Sequence, residues 1–443
     1  MNQIKLLEEY FDRLWPIARS ITGPGYRESI SILSELVPFE CYKFPTGEEV
    51  FDWQVPNEWT PREAYFIGPD GIKRCNFSEN NLHLLNYSAP FSGVVSLEEL
   101  KKHLHSLPDM PNAIPYLTSY YEKRWGFCIS HQELELLPKG DYKVHIDTEL
   151  KEGFLEISEA VLKGESDKEI LFSSYLCHPS LANNELSGPI VLSFLYKLIA
   201  LIPNRKYTYR FVIVPETIGS ICFLKMRGNH LKSKLSGGYQ ITCVGDSGMF
   251  TYKNSRQGDT LADRVAKTVL NEYGEYRERK FSPAIGSDER QYCSPGFNLP
   301  IGSLMRTMYT EYPEYHTSLD NKDYINFQSM HETIEAYHDI VKLLEVNNVW
   351  KNTVMFGEPQ LGRRGFFSTL GSQKNSSEID TAMWWVLNLA DGTNDLAAIA
   401  QKSEVSWKSL SFIADQLENA GLLKNMSKLI CCLLYTSPSP RDS

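Results

Sequence analysis

The strongest constraint on the fold of this chain is a series of four short apolar runs between residues 165 and 310. The runs are EILFSSYL, YTYRFVIV, GGYQITCV and LPIGSL, and each is typical of a buried strand. Segments with helical periodicity separate them, notably 186–201 and 260–273, and a further long helix is predicted at 323–345. This alternation predicts an α/β fold, with a mostly parallel sheet and helices on both faces.

Polar residues follow three of these runs at the points where the strands are predicted to end. His178, Glu216 and Asp246 come just after a run, and His316 lies in the loop before the last long helix. Because ligands bind outside the carboxyl ends of strands in open α/β sheets, we expect the four side chains to meet at one edge. Two imidazoles and two carboxylates form a ligand set that suits a catalytic zinc ion with a bound water. The sequence therefore predicts a zinc-dependent hydrolase site.

Each of these residues also has a simpler structural interpretation. A lone histidine before a proline, such as His178, is more often a loop residue than a metal ligand. Glu216 and Asp246 could instead cap the helices that follow them. The metal site is favoured because all four positions fall at strand ends, or on the return loop, of a single predicted sheet. Helix capping alone does not predict that coincidence.

A charged cluster stands before the last of the four runs. Asp288, Glu289 and Arg290 are adjacent in the motif GSDERQY. On the substrate side of the site, the carboxylates would hold a free amino group and Arg290 an acidic group. The alternative is an exposed charged loop, which is the usual place for such clusters. Both interpretations stay open.

The rest of the chain differs from this domain in composition. Residues 41–144 are rich in proline, tryptophan, tyrosine and glycine, which predicts an inserted β-rich domain between residues 1–40 and 145–348 of the α/β domain. Residues 349–430 contain two helical periods typical of a winged helix. Its second helix has no arginine and few lysines, so we expect it to contact protein and not DNA. Residues 432–443 resemble the translation of a sequencing adapter and take no part in the fold prediction.

Five motifs, in order along the chain, resemble those of the zinc aminopeptidases of the two-metal superfamily. They are YLCHPSLANNELSGP at 175–189, PETIGS at 215–220, VGDSG at 244–248, GSDERQY at 286–292 and YHTSLD at 315–320. The whole chain, with WPIARSITG and VPNEW, is similar to an aminopeptidase-like family that has an inserted small domain and a C-terminal winged helix. That family is often labelled as associated with polysaccharide biosynthesis.

The resemblance implies a role for each site residue. His178 and Asp246 would hold one metal ion, and Glu216 and His316 would hold a second. Tyr315 would donate a hydrogen bond to the oxyanion. The substrate would be a peptide with a free amino terminus or an acylamino-sugar precursor.

Three positions depart from the pattern of that superfamily. Asn184 stands where a metal-bridging aspartate is usual, Pro215 replaces the first residue of a Glu-Glu pair, and Ser180 replaces an aspartate that supports His178. Losing negative charge weakens the binding of a second cation, so we expect one tightly bound zinc, with Asn184 as a weaker ligand. Glu216 is then either a ligand of that zinc or the general base.

The charge and composition of the chain indicate which partners and which cellular location to expect. The net charge of -10 makes nucleic acid a poor partner. No run approaches the roughly 20 apolar residues that span a bilayer, so no membrane partner is expected. The cysteines are scattered and the first residues lack the apolar core of a secretory signal, which predicts a cytoplasmic protein.

Three hypotheses follow in order of preference. The first is a zinc hydrolase that cleaves an amide bond next to a free amine or on an acylamino sugar. The second is a catalytically silent binding or regulatory protein that kept the fold. The third, a DNA-binding regulator, rests on the helix-turn-helix pattern and is disfavoured by the charge.

Overall fold

The computed structural model describes residues 3–366 and 378–427. Its helices, in chain order, are α1 (Gln3–Leu14), α2 (Pro24–Leu33), α3 (Leu97–Lys101), α4 (His131–Glu135), α5 (Ser187–Ala200), α6 (Ile218–Lys234), α7 (Leu261–Tyr273), α8 (Glu289–Tyr292), α9 (Phe327–Val346), α10 (Glu378–Leu389), α11 (Leu396–Ser403) and α12 (Trp407–Asn419). A π-helical turn, Ala182–Leu186, precedes α5.

The strands are also numbered in chain order. They are β1 (Glu40–Pro45), β2 (Glu49–Val50), β3 (Trp53–Gln54), β4 (Glu58–Ile67), β5 (Lys73–Arg74), β6 (Phe91–Ser96), β7 (Leu104–His105), β8 (Phe127–Cys128), β9 (Asp141–Lys151), β10 (Phe154–Leu162), β11 (Glu169–Tyr175), β12 (Thr208–Val214), β13 (Leu235–Gln240), β14 (Thr251–Lys253), β15 (Arg277–Arg279), β16 (Ile301–Met305), β17 (Val349–Asn352), β18 (Asp391–Asp395) and β19 (Leu423–Asn425).

The largest sheet has eight strands in the order β1-β10-β12-β11-β13-β16-β14-β15. Its centre, β12-β11-β13-β16, is parallel, and antiparallel pairs join β10 to β12 and β14 to β16. Every residue of β11 and β12 is buried, as expected for parallel strands covered on both faces. The α/β class and the mostly parallel central sheet are confirmed.

All four apolar runs contain a strand, but β13 ends several residues before its apolar run does. The run GGYQITCV extends to residue 244, whereas β13 ends at Gln240. The backbone N–H of Ile241 still bonds to the carbonyl of Ser173 at 2.8 Å, and the chain then leaves the sheet. Asp246 therefore lies six residues beyond the strand end, inside a loop. This difference decides what its side chain can reach.

A second sheet, β5-β4-β9-β6, is antiparallel throughout. Its core rings include Phe66, which lies edge-on to Phe127 at 5.4 Å and to Tyr142 at 5.7 Å between ring centroids. These rings belong to the same hydrophobic cluster as Leu171 and Val212 of the large sheet. The β-rich segment is thus anchored to the α/β core by continuous apolar packing, while its exact limits stay a prediction.

The C-terminal residues form a compact unit with Arg264–Gly274. Within it, α10, α11 and α12 accompany a three-stranded antiparallel sheet, β18-β17-β19. Leu410, Ile413 and Leu417 of α12 recur at helical spacing and are buried, which forms the apolar face of that helix. Residues 432–443 lie outside the described part of the chain. Among the described helices, none combines the length and the apolar character needed to cross a membrane.

Candidate metal centre

His178 follows β11 and is held by a buried carboxylate. Its Nδ1 lies 2.7 Å from Oε2 of Glu185, which sits on the π-helical turn. The second oxygen of Glu185 is 3.9 Å from Nε of Arg19, and Arg19 is fully buried. The Nε of Arg19 also donates to the carbonyl of His178 at 3.3 Å. Glu185 binds Nδ1 of His178, so Nε2 remains available to a ligand in the cavity that His178 lines. Many metal-ligating histidines are held in the same way.

The surroundings of His178 act on its charge in opposite directions. Burial lowers the pKa of the imidazolium, but the neighbouring Cys177 and Glu185 raise it by more, so the pKa lies well above its usual value. Burial likewise raises the pKa of Glu185. A divalent cation at Nε2 would displace the proton there, and metal binding at this position is therefore coupled to proton release.

Glu216 follows β12 and directs one oxygen toward His178. Its Oε1 accepts a hydrogen bond from the Ser287 hydroxyl at 2.7 Å, while its Oε2 lies 3.6 Å from His178 Nε2. The next residue, Thr217, has a φ of 65°, in the left-handed region that a β-branched residue rarely adopts. Such backbone strain is concentrated at functional sites, and here it turns the chain directly after Glu216.

His316 and Asn184 form a second pair of potential ligands. His316 Nε2 lies 3.0 Å from Oδ1 of Asn184, and the Asn184 amide nitrogen donates to the hydroxyl of Tyr175 at 2.9 Å, which fixes the orientation of the amide. The rings of His178 and His316 are 5.4 Å apart, and Tyr116 contacts both. Burial lowers the pKa of His316 to about 3, with a further decrease from His178, so this imidazole is neutral.

Two separate pairs of these atoms have the spacing of neighbouring ligands in a metal site. In a tetrahedral zinc site with bonds of about 2.0 to 2.1 Å, neighbouring ligand atoms are roughly 3.4 Å apart. The two pairs, His178 Nε2 with Glu216 Oε2 at 3.6 Å and His316 Nε2 with Asn184 Oδ1 at 3.0 Å, are close to that spacing. In the part of the chain that the structure describes, the compact group of three possible ligand residues is Cys177, His178 and Glu185, so the two pairs are not gathered around one point.

Asp246 makes its hydrogen bonds to other residues. Its two oxygens accept hydrogen bonds from the side chain of Asn183 at 3.0 Å, from the backbone of Gly248 at 2.7 Å, and from the backbone and hydroxyl of Thr307 at 3.0 and 2.7 Å. Between residues 3–366 and 378–427, no hydrogen bond joins Asp246 to any of the four residues above. Its carboxylate instead holds the loop that carries Asn183, next to Asn184.

The charged cluster of the GSDERQY motif is largely internal. Asp288 is fully buried, and its Oδ1 accepts from the backbone N–H of Thr217 at 2.7 Å. Glu289 is buried against Lys253, with Nζ and Oε1 2.6 Å apart. Arg290 donates from Nε to the carbonyl of Ser287 at 3.3 Å. Asp288 thus supports the turn after Glu216, and Glu289 neutralises a buried lysine, so neither carboxylate lines the cavity.

Tyr315 lies beside the ligand pairs. Its ring stacks on that of His316 with centroids 3.9 Å apart. Burial raises the pKa of Tyr315 above its usual value, and Glu216 adds to the increase, so the hydroxyl keeps its proton. Within the described residues this hydroxyl has no hydrogen-bond partner in the protein. It is free to donate to a ligand.

Comparisons with known proteins place the chain in a family. Residues 8–347 match the model of a domain of unknown function, DUF4910, and residues 348–425 match a winged helix-turn-helix model. The first match covers most of the chain. The chain belongs to the DUF4910 family. The winged helix predicted at its C-terminus is confirmed.

Relatives of this DUF4910 chain agree on the fold. A Clostridium acetobutylicum protein is 41% identical over 414 residues, covering 93% of this chain and 94% of its own, and its provisional name is polysaccharide biosynthesis protein with aminopeptidase-like domain. A crystal structure from that organism, provisionally called a peptidase, has a TM-score of 0.89 at 40% identity and covers 96% of this chain and 98% of its own. The zinc aminopeptidase of Bacillus subtilis has a TM-score of 0.55 at 10% identity, covering 76% and 94%. The resemblance to zinc aminopeptidases is confirmed at the level of the fold.

Several residues around the site of this DUF4910 chain escaped the sequence analysis. A cavity of about 450 Å³ is lined by Ile21, Trp53, Tyr116, Leu117, Thr118, Tyr120, Tyr121, Cys177, His178, Glu216, Thr217, Ile218 and His316. Glu185 was detectable in principle, as an acidic residue seven positions after His178 in an otherwise apolar and amide segment. Arg19 and the aromatic residues of the β-rich segment carry no local signal, because only the fold brings them to the cavity.

Proposed function

We propose that this DUF4910 protein is a zinc-dependent hydrolase that cleaves an amide bond, either next to a free amine or on an acylamino sugar. The observation that supports the proposal is that His178, Glu216 and His316 line one cavity, with ligand-spaced contacts between His178 and Glu216 and between His316 and Asn184. The aminopeptidase fold adds support, because its neighbours include a zinc enzyme. Fold alone does not establish chemistry, so the side chains carry more weight than the fold.

Each residue of the site would have its own role in hydrolysis. A zinc ion held there would lower the pKa of a bound water to about 7 and polarise the amide carbonyl. Glu216, with one oxygen fixed by Ser287 and the other directed at His178, would bind the ion or accept the proton of that water. Tyr315, with its unpartnered hydroxyl, would donate to the carbonyl oxygen as negative charge develops on it.

One metal ion, not two, is the expected stoichiometry. The position of the usual bridging carboxylate is occupied by Asn184, a neutral ligand, and the oxygens of Asp246 are engaged by four donors. A second divalent cation would therefore find little negative charge. The same two observations favour a second candidate function, a catalytically silent aminopeptidase-fold binding protein.

The relatives and the winged helix extend the proposal. The name of the Clostridium acetobutylicum relative mentions polysaccharide biosynthesis, which favours an acylamino-sugar substrate over a peptide. The winged helix, with few basic residues on its second helix, is proposed to bind a protein partner and not nucleic acid. A cytoplasmic location stays part of the proposal.

Metal analysis and a substrate panel test the proposal together. Plasma emission spectroscopy on dialysed protein is expected to report about one zinc per chain, and at least one aminoacyl amide or N-acylated amino sugar is expected to be hydrolysed. His178→Ala should abolish both, whereas the control His131→Ala should leave both unchanged, since His131 contacts Ser106 outside the cavity. Protein that contains no zinc and hydrolyses nothing would establish the silent candidate.

A further inference from the structure

Part of the cavity wall is built from aromatic rings of the β-rich segment. Trp53, Tyr116, Tyr120 and Tyr121 all line it, although none belongs to the motifs that resemble aminopeptidases. Trp53 and Tyr121 contact each other with centroids 5.9 Å apart and planes at 66°. They are 38% and 57% exposed, respectively, so both rings are accessible to a ligand. Exposed aromatic rings grouped at a cavity are typical of a ligand-binding surface.

The two exposed rings of Trp53 and Tyr121 also carry polar groups that are available for hydrogen bonds to a ligand. In the part of the chain that the structure describes, neither the indole Nε1 of Trp53 nor the hydroxyl of Tyr121 makes a hydrogen bond to another protein group. The two inner hydroxyls, of Tyr116 and Tyr120, are instead paired with each other at 2.9 Å. An apolar ligand would use only the ring faces, whereas a ligand with both an apolar face and hydroxyl groups would use the faces and the edges.

The ionisable acidic and imidazole groups of the cavity lie on the side of the proposed metal ligands. Its acidic and imidazole side chains are Glu216, His178 and His316, and the wall formed by the four aromatic residues carries no acidic or basic group. A ligand body that rests on this wall is therefore not anionic, because an anion placed there would lose hydration without gaining a partner. The volume of about 450 Å³ is in the range of small-molecule sites.

We propose that Trp53 and Tyr121 form a binding site for the pyranose ring of a neutral sugar. One face of the sugar, rich in C–H bonds, packs on the aromatic rings, and its hydroxyls bond to the indole N–H and the phenol. The ring's acylamino group then points toward His178. Only this last step rests on the proposed hydrolase function, since ring binding itself requires no metal and no reaction.

Binding of uncleavable probes to the full-length protein tests the site. The probes are methyl β-glucopyranoside, methoxycyclohexane, which has the same ring size without the hydroxyls, and leucinol, which carries an amine and an apolar side chain. None of them contains an amide. We expect saturable binding of the glucoside, measured by calorimetry, and weaker or absent binding of the other two. The peptide alternative predicts that leucinol binds most tightly.

Variants locate the binding. Trp53→Ala should weaken glucoside binding on the order of tenfold, as expected for the loss of one stacked ring and its hydrogen bond. Tyr121→Phe should weaken glucoside binding by a smaller factor than Trp53→Ala does, because it removes only the hydroxyl. Trp384→Ala is the matched control, since Trp384 is also 38% exposed and does not line this cavity.

The outcomes separate this inference from the hydrolase proposal. Three results would each overturn the sugar site. They are equal or tighter binding of leucinol or methoxycyclohexane, no binding of any probe, and equal effects of Trp53→Ala and Trp384→Ala on glucoside binding. If the glucoside binds through Trp53 but no amide is hydrolysed, the sugar site stands and the hydrolase proposal fails. If N-acylated amino sugars are hydrolysed with a KM that Trp53→Ala leaves unchanged, the hydrolase stands and the sugar site fails.

Discussion

Replacing Glu185 with glutamine tests the environment that holds His178. The side chain of Glu185 is fully buried between two groups that carry positive charge. One oxygen is 2.7 Å from Nδ1 of His178 and the other is 3.9 Å from Nε of Arg19. Glutamine keeps the size and a hydrogen bond to the ring, but it removes the negative charge that both neighbours need.

The size of the effect follows from the burial of Arg19. Removing one partner of a buried ion pair costs about 3 to 5 kcal/mol, because the remaining charge is left uncompensated. Arg19 keeps its hydrogen bonds to the carbonyls of Leu14 and His178, so we expect a loss of about 3 kcal/mol in the free energy of unfolding, at the lower end of that range. Losing the carboxylate partner of a metal-binding histidine should also weaken zinc binding about 10- to 100-fold.

Two measurements check this prediction. Urea denaturation with chelator present gives the free energy of unfolding, and competition with a chromogenic chelator gives the zinc affinity. Glu159→Gln is the control, because Glu159 is a buried carboxylate of the large sheet that pairs with Arg210 and Arg227. It should lose stability without any change in zinc affinity. If Glu185→Gln binds zinc as tightly as the wild type, the negative charge of Glu185 does not support a metal-binding His178, and this prediction is refuted.

Three further variants address the site and the pH dependence. Glu216→Gln should lower turnover on the order of 10² to 10⁴-fold. The variant should retain zinc if Glu216 is the base and lose zinc if Glu216 is a ligand. An active variant with normal zinc content would exclude both roles. Asn184→Asp should raise the zinc content above about one ion per chain after dialysis, and an unchanged content would contradict the ligand-charge argument. Burial raises the pKa of Glu169, but Arg210 and His230 lower it by more, so the folded pKa lies below the usual value of 4.5. Ionised Glu169 therefore stabilises the folded protein above pH 4.5, and this contribution is lost as the pH falls through the folded pKa. Glu169→Gln should therefore flatten the acidic part of the stability profile measured by urea denaturation, and a profile as steep as the wild type would disprove the coupling.

The secondary structure and fold class could be predicted because they depend on local patterns. The fully buried strands β11 and β12 and the helical periods between the runs appear in the structure where the sequence predicts them. The order of the motifs likewise anticipated the aminopeptidase fold, and His178, Glu216 and His316 do line one cavity. These residues stand where the chain leaves a strand or turns back to the sheet, which sequence periodicity can locate.

Side-chain direction in the loops could not be predicted in the same way. Asp246 follows an apolar run, but β13 ends six residues before it, and its carboxylate turns to Asn183 and Thr307. From the sequence, Asp288 and Glu289 could be either substrate contacts or part of an exposed charged loop, yet both are buried. In each case the partner lies far away in the chain, and local composition contains no information about it.

The amino-acid sequence by itself determined the strands, the helices and the positions at which the chemistry emerges, because hydrophobic periodicity acts over a few residues. Only the tertiary structure decided which polar side chains meet. The turn that presents Asn184 is held by Asp320, whose carboxylate accepts the backbone N–H groups of Asn183 and Asn184 at 2.6 and 2.9 Å from 137 and 136 residues away. Trp53 and Tyr121 reach the cavity only because the β-rich segment packs on the α/β core. Contacts over such separations depend on the packing of the whole fold, since a side chain settles where burial and hydrogen bonding are satisfied together.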